Sequence, residues 1–259
     1  MSSRVAEKQR LREEREERER EATSQAQRKR RLGLLGAAVL VAAVAVAVAI
    51  ALSSSGGSSG SGGSASKPSA TTQLFAGIPQ KGVVLGKANA PVTLTEFADL
   101  QCPVCKAYTL DVLPTLVRRY VRTGKVRMVF RNISILGPDS RTAAEAAAAA
   151  GLQNSIWQFA DRFYHDQRAE NSGYVTDGFV KQVAAQVPGL NAARLLSQRN
   201  SAGARQQLAT ATTESQVRGV NATPTFFLGR TGSSGKELQP TALTPDQFTG
   251  PIDKQLASR

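Results

Sequence analysis

The stretch Glu96-Phe-Ala-Asp-Leu-Gln-Cys-Pro-Val-Cys105 constrains this chain more than any other. Two cysteines, two residues apart, sit where an apolar run gives way to a helical pattern, and they are the only cysteines in 259 residues. A pair with that spacing can close a small disulfide across the first turn of a helix. A thiol at such a turn faces unpaired N–H groups and the positive end of the helix dipole, which favour its thiolate. The thiolate is the reactive species in disulfide exchange, so the pair reads as a redox site. Two cysteines are too few for a disulfide scaffold, and so short a loop stabilises a fold little. The chain offers one histidine, His165, beside them, which leaves the four-ligand set of a zinc site incomplete. No metal site and no cofactor are expected.

The segments before this stretch are not globular in composition. Residues 1–31 hold 11 Lys/Arg and 7 Asp/Glu with almost nothing apolar, so a solvated, fraying helix with Glu–Arg pairs is expected there. Leu32 to Leu52 is 21 residues without a charge, long enough to cross a bilayer core. Arg28-Lys-Arg-Arg31 in front of it stays cytoplasmic by the positive-inside rule, sending the C-terminal side of the chain outward. Ala49-Ile-Ala51 fits a signal-peptidase site, but the leading and apolar regions are both long for a cleaved signal, so a signal anchor is the expectation. Ser53 to Ser66 is nearly all Ser and Gly, a flexible tether reaching roughly 20 Å. Residues 67–81 read as an irregular lead-in, completing a linker over 53–81.

The formal charge of +13 raises the question of nucleic acid, but the basic residues are scattered and the aromatics few. No nucleic-acid partner is expected.

From Gly82 the pattern becomes globular. Val83–Leu85, Val92–Phe97 and Val126–Phe130 read as strands. Cys102 opens a helix with Pro103 at its first position, where a missing N–H is harmless. That helix runs to Gly124, perturbed at Pro114. From Asp139 to about Val217 everything is helical, with the alanine run 143–150 and an apolar face on Ile156, Trp157, Phe159, Phe163 and Tyr164. Thr225–Leu228 and Lys236–Leu238 read as strands, and Pro245–Leu256 as a closing helix. Strand and helix at both ends of a helical block indicate an α/β core carrying an insertion. His165 has no catalytic partner at readable spacing and reads as an ordinary boundary residue; Trp157 reads as core.

With Gly86-Lys-Ala-Asn-Ala-Pro-Val92, Glu96-Phe-Ala-Asp99, Cys102-Pro-Val-Cys105-Lys, Gly124-Lys-Val-Arg127 and Gly219-Val-Asn-Ala-Thr-Pro-Thr-Phe-Phe227 in this order, the chain resembles the DsbA-like branch of the thioredoxin superfamily, in its membrane-tethered bacterial form. The resemblance covers about residues 82–259. It implies a thioredoxin fold with a helical domain inserted at about 138–218, and a cis bond before Pro224 facing the cysteines. It also implies roles. Cys102 would be the accessible, exchanging sulfur and Cys105 the resolving one. Glu96 would be a buried carboxylate moving protons for Cys105. Thr223, Pro224, Pro103 and Val104 would meet the substrate, while Asp99 reads as a loop or capping residue. Strongly oxidising relatives carry His where this chain has Val104, which can neither donate a hydrogen bond nor carry charge. The Cys102 pKa is therefore expected above the ~3.5 of DsbA, and the potential between about −120 and −270 mV.

The expectation is thus a membrane-anchored, extracytoplasmic thiol–disulfide oxidoreductase forming disulfides in secreted client proteins and reoxidised by a membrane oxidase. Its alternatives are a reductase or isomerase kept reduced by a membrane donor, and a binding module whose cysteines are structural.

Overall fold

The computed structural model describes residues 70–258, with side chains from Gln73 onward. The charged segment 1–31, the apolar run 32–52 and the Ser/Gly stretch lie outside the described residues. Among those described, no helix is long and apolar enough to cross a membrane.

A six-stranded sheet forms the centre, in the order β1-β2-β4-β3-β5-β6. Its strands are Gln80–Lys81 (β1), Val84–Leu85 (β2), Val92–Ala98 (β3), Val126–Asn132 (β4), Thr225–Arg230 (β5) and Lys236–Leu238 (β6). Only β3 and β4 pair in parallel, and the other pairings are antiparallel. A parallel pair needs a crossover, and the helical run from Pro103 to Val121 supplies it. β3 is central and buried along nearly its whole length. By strand alternation Val92, Leu94, Glu96 and Ala98 face the principal core, while Phe97 packs on the other side with Phe227, Ile133 and Ala211.

The crossover begins as Pro103–Ala107 (α1), widens to a π turn over Tyr108–Val112, continues as Leu113–Leu116 (α2) and widens again over Val117–Val121. The expected perturbation at Pro114 takes this form. The Leu113 N–H reaches back five residues to the Tyr108 carbonyl, and the wider turn accepts a proline that has no N–H to give. Gly124, at φ +77°, ends the run as read, and the Lys87 side chain lies where a Cβ there would stand.

Between β4 and β5 lie Pro138–Leu152 (α3), Ile156–Asp166 (α4), Asp177–Ala185 (α5), Ala192–Gln198 (α6) and Ala202–Val217 (α7). The alanines 146–150 are all buried, because α3 is covered by β4 on one flank and by α4, α6 and α7 on others. Trp157 is core, packed on Phe130 at 5.4 Å and donating to the Val83 carbonyl at 3.1 Å. His165 sits half-exposed, 3.9 Å from Asp161 on the same helix. Pro245–Ala257 (α8) closes the fold against α2 and β5.

One expectation fails at the start of the domain. Residues 70–81 are not an irregular lead-in, for Ala70–Phe75 is a short helix and Gln80–Lys81 an edge strand. Phe75 is buried in the core, and Arg122 donates to the carbonyls of Gln73, Leu74 and Ala76 at 3.3, 2.8 and 2.8 Å. Those last-turn carbonyls have no partner within so short a helix, and a guanidinium satisfies several at once.

Candidate active site

Cys102 is the N-cap of α1, with extended backbone (φ −72°, ψ 120°) and Pro103 directly after it. Its sulfur accepts the Cys105 N–H at 3.4 Å and lies 3.2 Å from the Thr223 carbonyl, to which the thiol donates. The bond between Thr223 and Pro224 is cis. β5 starts one residue later beside β3, so Cys102, Cys105, Thr223 and Pro224 meet at one end of the sheet. Both cysteines carry free thiols.

The two sulfurs have opposite environments. Cys102 is lowered from 9.0 to about 6, chiefly because the Cys105 thiol donates to it. Burial opposes this, and the Thr223 side chain and the N–H groups of Cys105 and Val104 add to it. Cys105 is pushed well above 9.0, first by burial, then by the bond it gives to Cys102 and by the charges of Cys102 and Glu96. Near neutral pH the pair therefore holds one thiolate, on Cys102, with the proton on Cys105. The Val104 side chain takes no part in the lowering of Cys102, to which that residue contributes only its backbone N–H.

Cys102 is less accessible than expected. It is 5% exposed against 0% for Cys105, because the Thr223 carbonyl lies against its sulfur. Pro103 and Val104 beside it are exposed, Val104 to 47%. Val104 forms one wall of a groove of ≈ 360 Å³ whose other walls include Thr223, Pro224, Phe226, Leu238 and Leu243. The groove thus joins three residues named from sequence, Val104, Thr223 and Pro224, into one surface. A second cavity, of ≈ 150 Å³ between β4, α3 and α7, includes neither cysteine.

Glu96 lies under the pair, opposite Phe130 of β4 and Phe226 of β5, and is wholly buried. Neither carboxyl oxygen has a hydrogen-bond partner among the described residues. Burial raises it from 4.5 to about 8, and the Cys102 charge adds to the rise. Tyr108, next to it in the interior, packs its ring tilted against Phe226 at 4.5 Å, and its hydroxyl likewise has no hydrogen-bond partner among the described residues.

Sequence reading missed the groups that hold the loop between β3 and α1. Asp99 accepts from the N–H of Gln101 (2.9 Å), Ile135 (2.8 Å) and Leu136 (3.1 Å) and from the Ser140 hydroxyl. Tyr164 donates to the Asp99 carbonyl, and Gln167 to those of Leu100 and Cys102. Gln101 bonds Tyr174 at 2.7 Å and accepts from the Asn171 N–H. The inserted helices thus clamp the backbone on which Cys102 stands. No local pattern marks these residues, which lie 36–73 positions downstream of their partners.

Comparison with known proteins agrees with this geometry. The family model described as Thioredoxin matches residues 79–254. A probable disulfide bond formation protein D of Bacillus cereus is 27% identical over 193 residues, covering 73% of this chain and 85% of that protein. Disulfide bond formation protein D of Bacillus subtilis is 29% identical over 147 residues, 56% of this chain and 66% of that one. The crystal structure of oxidised BdbD from Bacillus subtilis superposes with a TM-score of 0.59 at 25% identity, covering 69% of this chain and 97% of that one. With a matching family model over most of the folded region, a strand–Cys-x-x-Cys–helix junction and a cis-proline facing it, the chain belongs to the thioredoxin family, among its DsbA-like thiol–disulfide oxidoreductases.

Proposed function

We propose that this chain forms disulfides in exported proteins through Cys102 and Cys105, held to the outer face of the cytoplasmic membrane by residues 32–52. The observation that carries the catalytic reading is the asymmetry of the pair, one sulfur drawn toward thiolate and the other held as thiol. In the oxidised enzyme a client thiolate attacks the Cys102 sulfur, the S–S bond breaks, and its electron pair leaves on Cys105. Glu96, protonated below about 8 and buried in the same interior, supplies the proton that Cys105 takes up. A second client thiolate then attacks the client sulfur of the mixed disulfide. This releases the client disulfide and the Cys102 thiolate, and the two electrons now reside in the enzyme dithiol. Thr223, Pro224, Pro103 and Val104 line the approach and position the client chain beside Cys102. Return of the enzyme to its disulfide requires an oxidant, proposed as a membrane oxidase.

The anchoring reading is supported by the charge-free run 32–52 behind a basic cluster. The division into a charged segment 1–31, an anchor, a linker and a redox domain follows from the same composition, with the inserted helical domain placed at about 138–218.

The reverse direction, reduction or isomerisation, is favoured by one observation: a Cys102 pKa of about 6 is nearer the ~7 of thioredoxin than the ~3.5 of DsbA. Equilibrating the purified full chain with glutathione separates the two. A potential well above thioredoxin's, with client mixed disulfides trapped by Cys105→Ala and absent in Cys102→Ser, is the expected result. A potential near or below thioredoxin's assigns the chain to reduction. Activity that survives Cys102→Ser removes the redox reading and leaves a binding module.

A further inference from the structure

We propose that the pole of the domain opposite the cysteines is a docking surface for an anionic lipid bilayer. The inference rests on the membrane-anchored reading above. β3 and β4 run parallel with Val92 opposite Val126, so both begin at one pole, and the cysteines follow the far end of β3. Seven strand residues at about 3.3 Å each set the two poles roughly 20 Å apart.

The near pole collects cations. Arg118, Arg119 and Arg122 end the crossover helix, Lys125 and Arg127 open β4, Lys87 precedes β3, and Arg230, opposite Val92, ends β5. Lys87, Lys125 and Arg127 share one surface. The Lys87 side chain lies against Gly124, Arg127 donates to the Ala88 carbonyl, and Lys81, Gly86, Ala88 and Arg127 line one shallow depression. Neither segment 76–95 nor segment 112–138 contains an Asp or Glu. Residues 73–258 carry 20 Lys/Arg and 13 Asp/Glu, a net +7, and of those acids Asp253 reaches this surface, paired with Arg119.

Some of the seven have local tasks. Arg122 holds the helix at residues 70–75, Arg119 pairs with Asp253 at 2.7 Å, and Arg118 and Arg119 complement a helix C-terminus. Among the described residues Lys87, Arg118 and Lys125 form no ion pair, and all three are exposed. The neighbouring Tyr120 is buried, so the surface lacks the stacking platform a nucleic acid uses. A basic surface without aromatics matches phosphate headgroups. Its place in the chain agrees, since the helix at residues 70–75 is pinned at this pole by Arg122, and the sequence before it leads back to the tether and the apolar run. Docked there, the domain turns its groove and Cys102 away from the lipid toward clients.

The test uses the full chain in nanodiscs of neutral lipid and of neutral lipid with phosphatidylglycerol. A water-soluble amine reagent acylates lysines, and mass spectrometry compares Lys87 and Lys125 with Lys181 in the same molecules. Slowing of the first two by about threefold or more in anionic discs, reversed by high salt, is expected. Charge reversal in Lys87→Glu/Arg118→Glu should abolish it at Lys125 while leaving oxidation of a small dithiol unchanged. Equal rates in both lipids overturn the proposal, as does equal slowing in both, which would indicate burial against protein. Slowing by heparin but not by anionic discs overturns it in favour of another polyanion. A chain lost from neutral discs refutes the anchor alone; its retention on anionic discs would still support docking, and loss from both would end it.

Discussion

Two acidic side chains three residues apart, both fully buried, are treated in opposite ways by this fold. Asp99, just past the end of β3, accepts four hydrogen bonds from two loops and a helix start. Glu96, inside the strand, accepts none among the described residues and is pushed up to about 8. Burial is common to both, and the number of donors that answer it sets them apart. Around Asp99 the polar group fixes geometry, fastening the Asp99–Cys102 loop to the Ile135–Ser140 segment. Around Glu96 the interior is left unsatisfied, and the result is a carboxyl that keeps its proton up to about pH 8 beside a thiol that must gain and lose one. Stability has been concentrated at the first position and given up at the second.

The comparison breaks most readily at Asp99. Asp99→Ala leaves three loop N–H groups and the Ser140 hydroxyl without their acceptor, at a cost of at least about 3 kcal/mol. Urea unfolding should show a lower midpoint at every pH where the protein is folded. A loss under about 1 kcal/mol would mean that the loop is held by Tyr164 and Gln167 without it.

Glu96→Gln has the opposite sign. A carboxyl whose folded pKa is raised binds its proton more tightly when folded. Its stabilising contribution is complete below 4.5, and stability declines as pH rises through about 8. The amide removes that decline, so the variant should gain about 2–4 kcal/mol at pH 9 and almost nothing at pH 4. The same variant should resolve mixed disulfides about 10- to 100-fold more slowly. A stability difference independent of pH would show that Glu96 does not titrate in this window.

How legible these positions are in the sequence follows the range of the forces that set them. Cys102, Pro103 and Cys105 are readable because a helix start is a local event, with a cap, a proline and a dipole within four residues. The order of strands and helices is readable for the same reason, down to the ends of Lys236–Leu238. Ala70–Phe75 is not, because six residues without acidic or basic ends make a helix only when Arg122 caps them from far along the chain. The low exposure of Cys102 escapes reading because the covering carbonyl belongs to Thr223, 121 residues away. Asp99 is recognisable as a capping residue, yet two of its donors arrive from residues 36 and 37 positions on.

Val104→His sharpens the comparison by adding a donor where the fold supplies an exposed apolar side chain. A protonated imidazole beside Cys102 should take its pKa below about 6 by roughly one to two units and make the disulfide correspondingly more oxidising. Thiolate ultraviolet absorbance against pH measures this. A lowered Cys102 adds stability to the reduced form that is complete above 9.0 and lost as pH falls through the folded value, so the variant should retain that stability to more acid pH.

The smallest expected effect tests the cause assigned to Glu96. Burial is the first reason for its raised value and the Cys102 charge the second. Because Cys102 is ionised well below the pH at which Glu96 titrates, Cys102→Ser removes a charge present throughout that titration. The Glu96 midpoint should therefore fall from about 8, but by less than about one unit, since the carboxyl remains as buried as before. Carbon NMR of the labelled side chain gives the midpoint in both proteins. A fall to near 4.5 would make the thiolate the dominant cause, and Glu96 would then be a sensor of the redox state of Cys102 rather than a buried proton store. A midpoint held close to 8 keeps the contrast with Asp99 where the hydrogen bonds place it, in the donors each carboxyl was given.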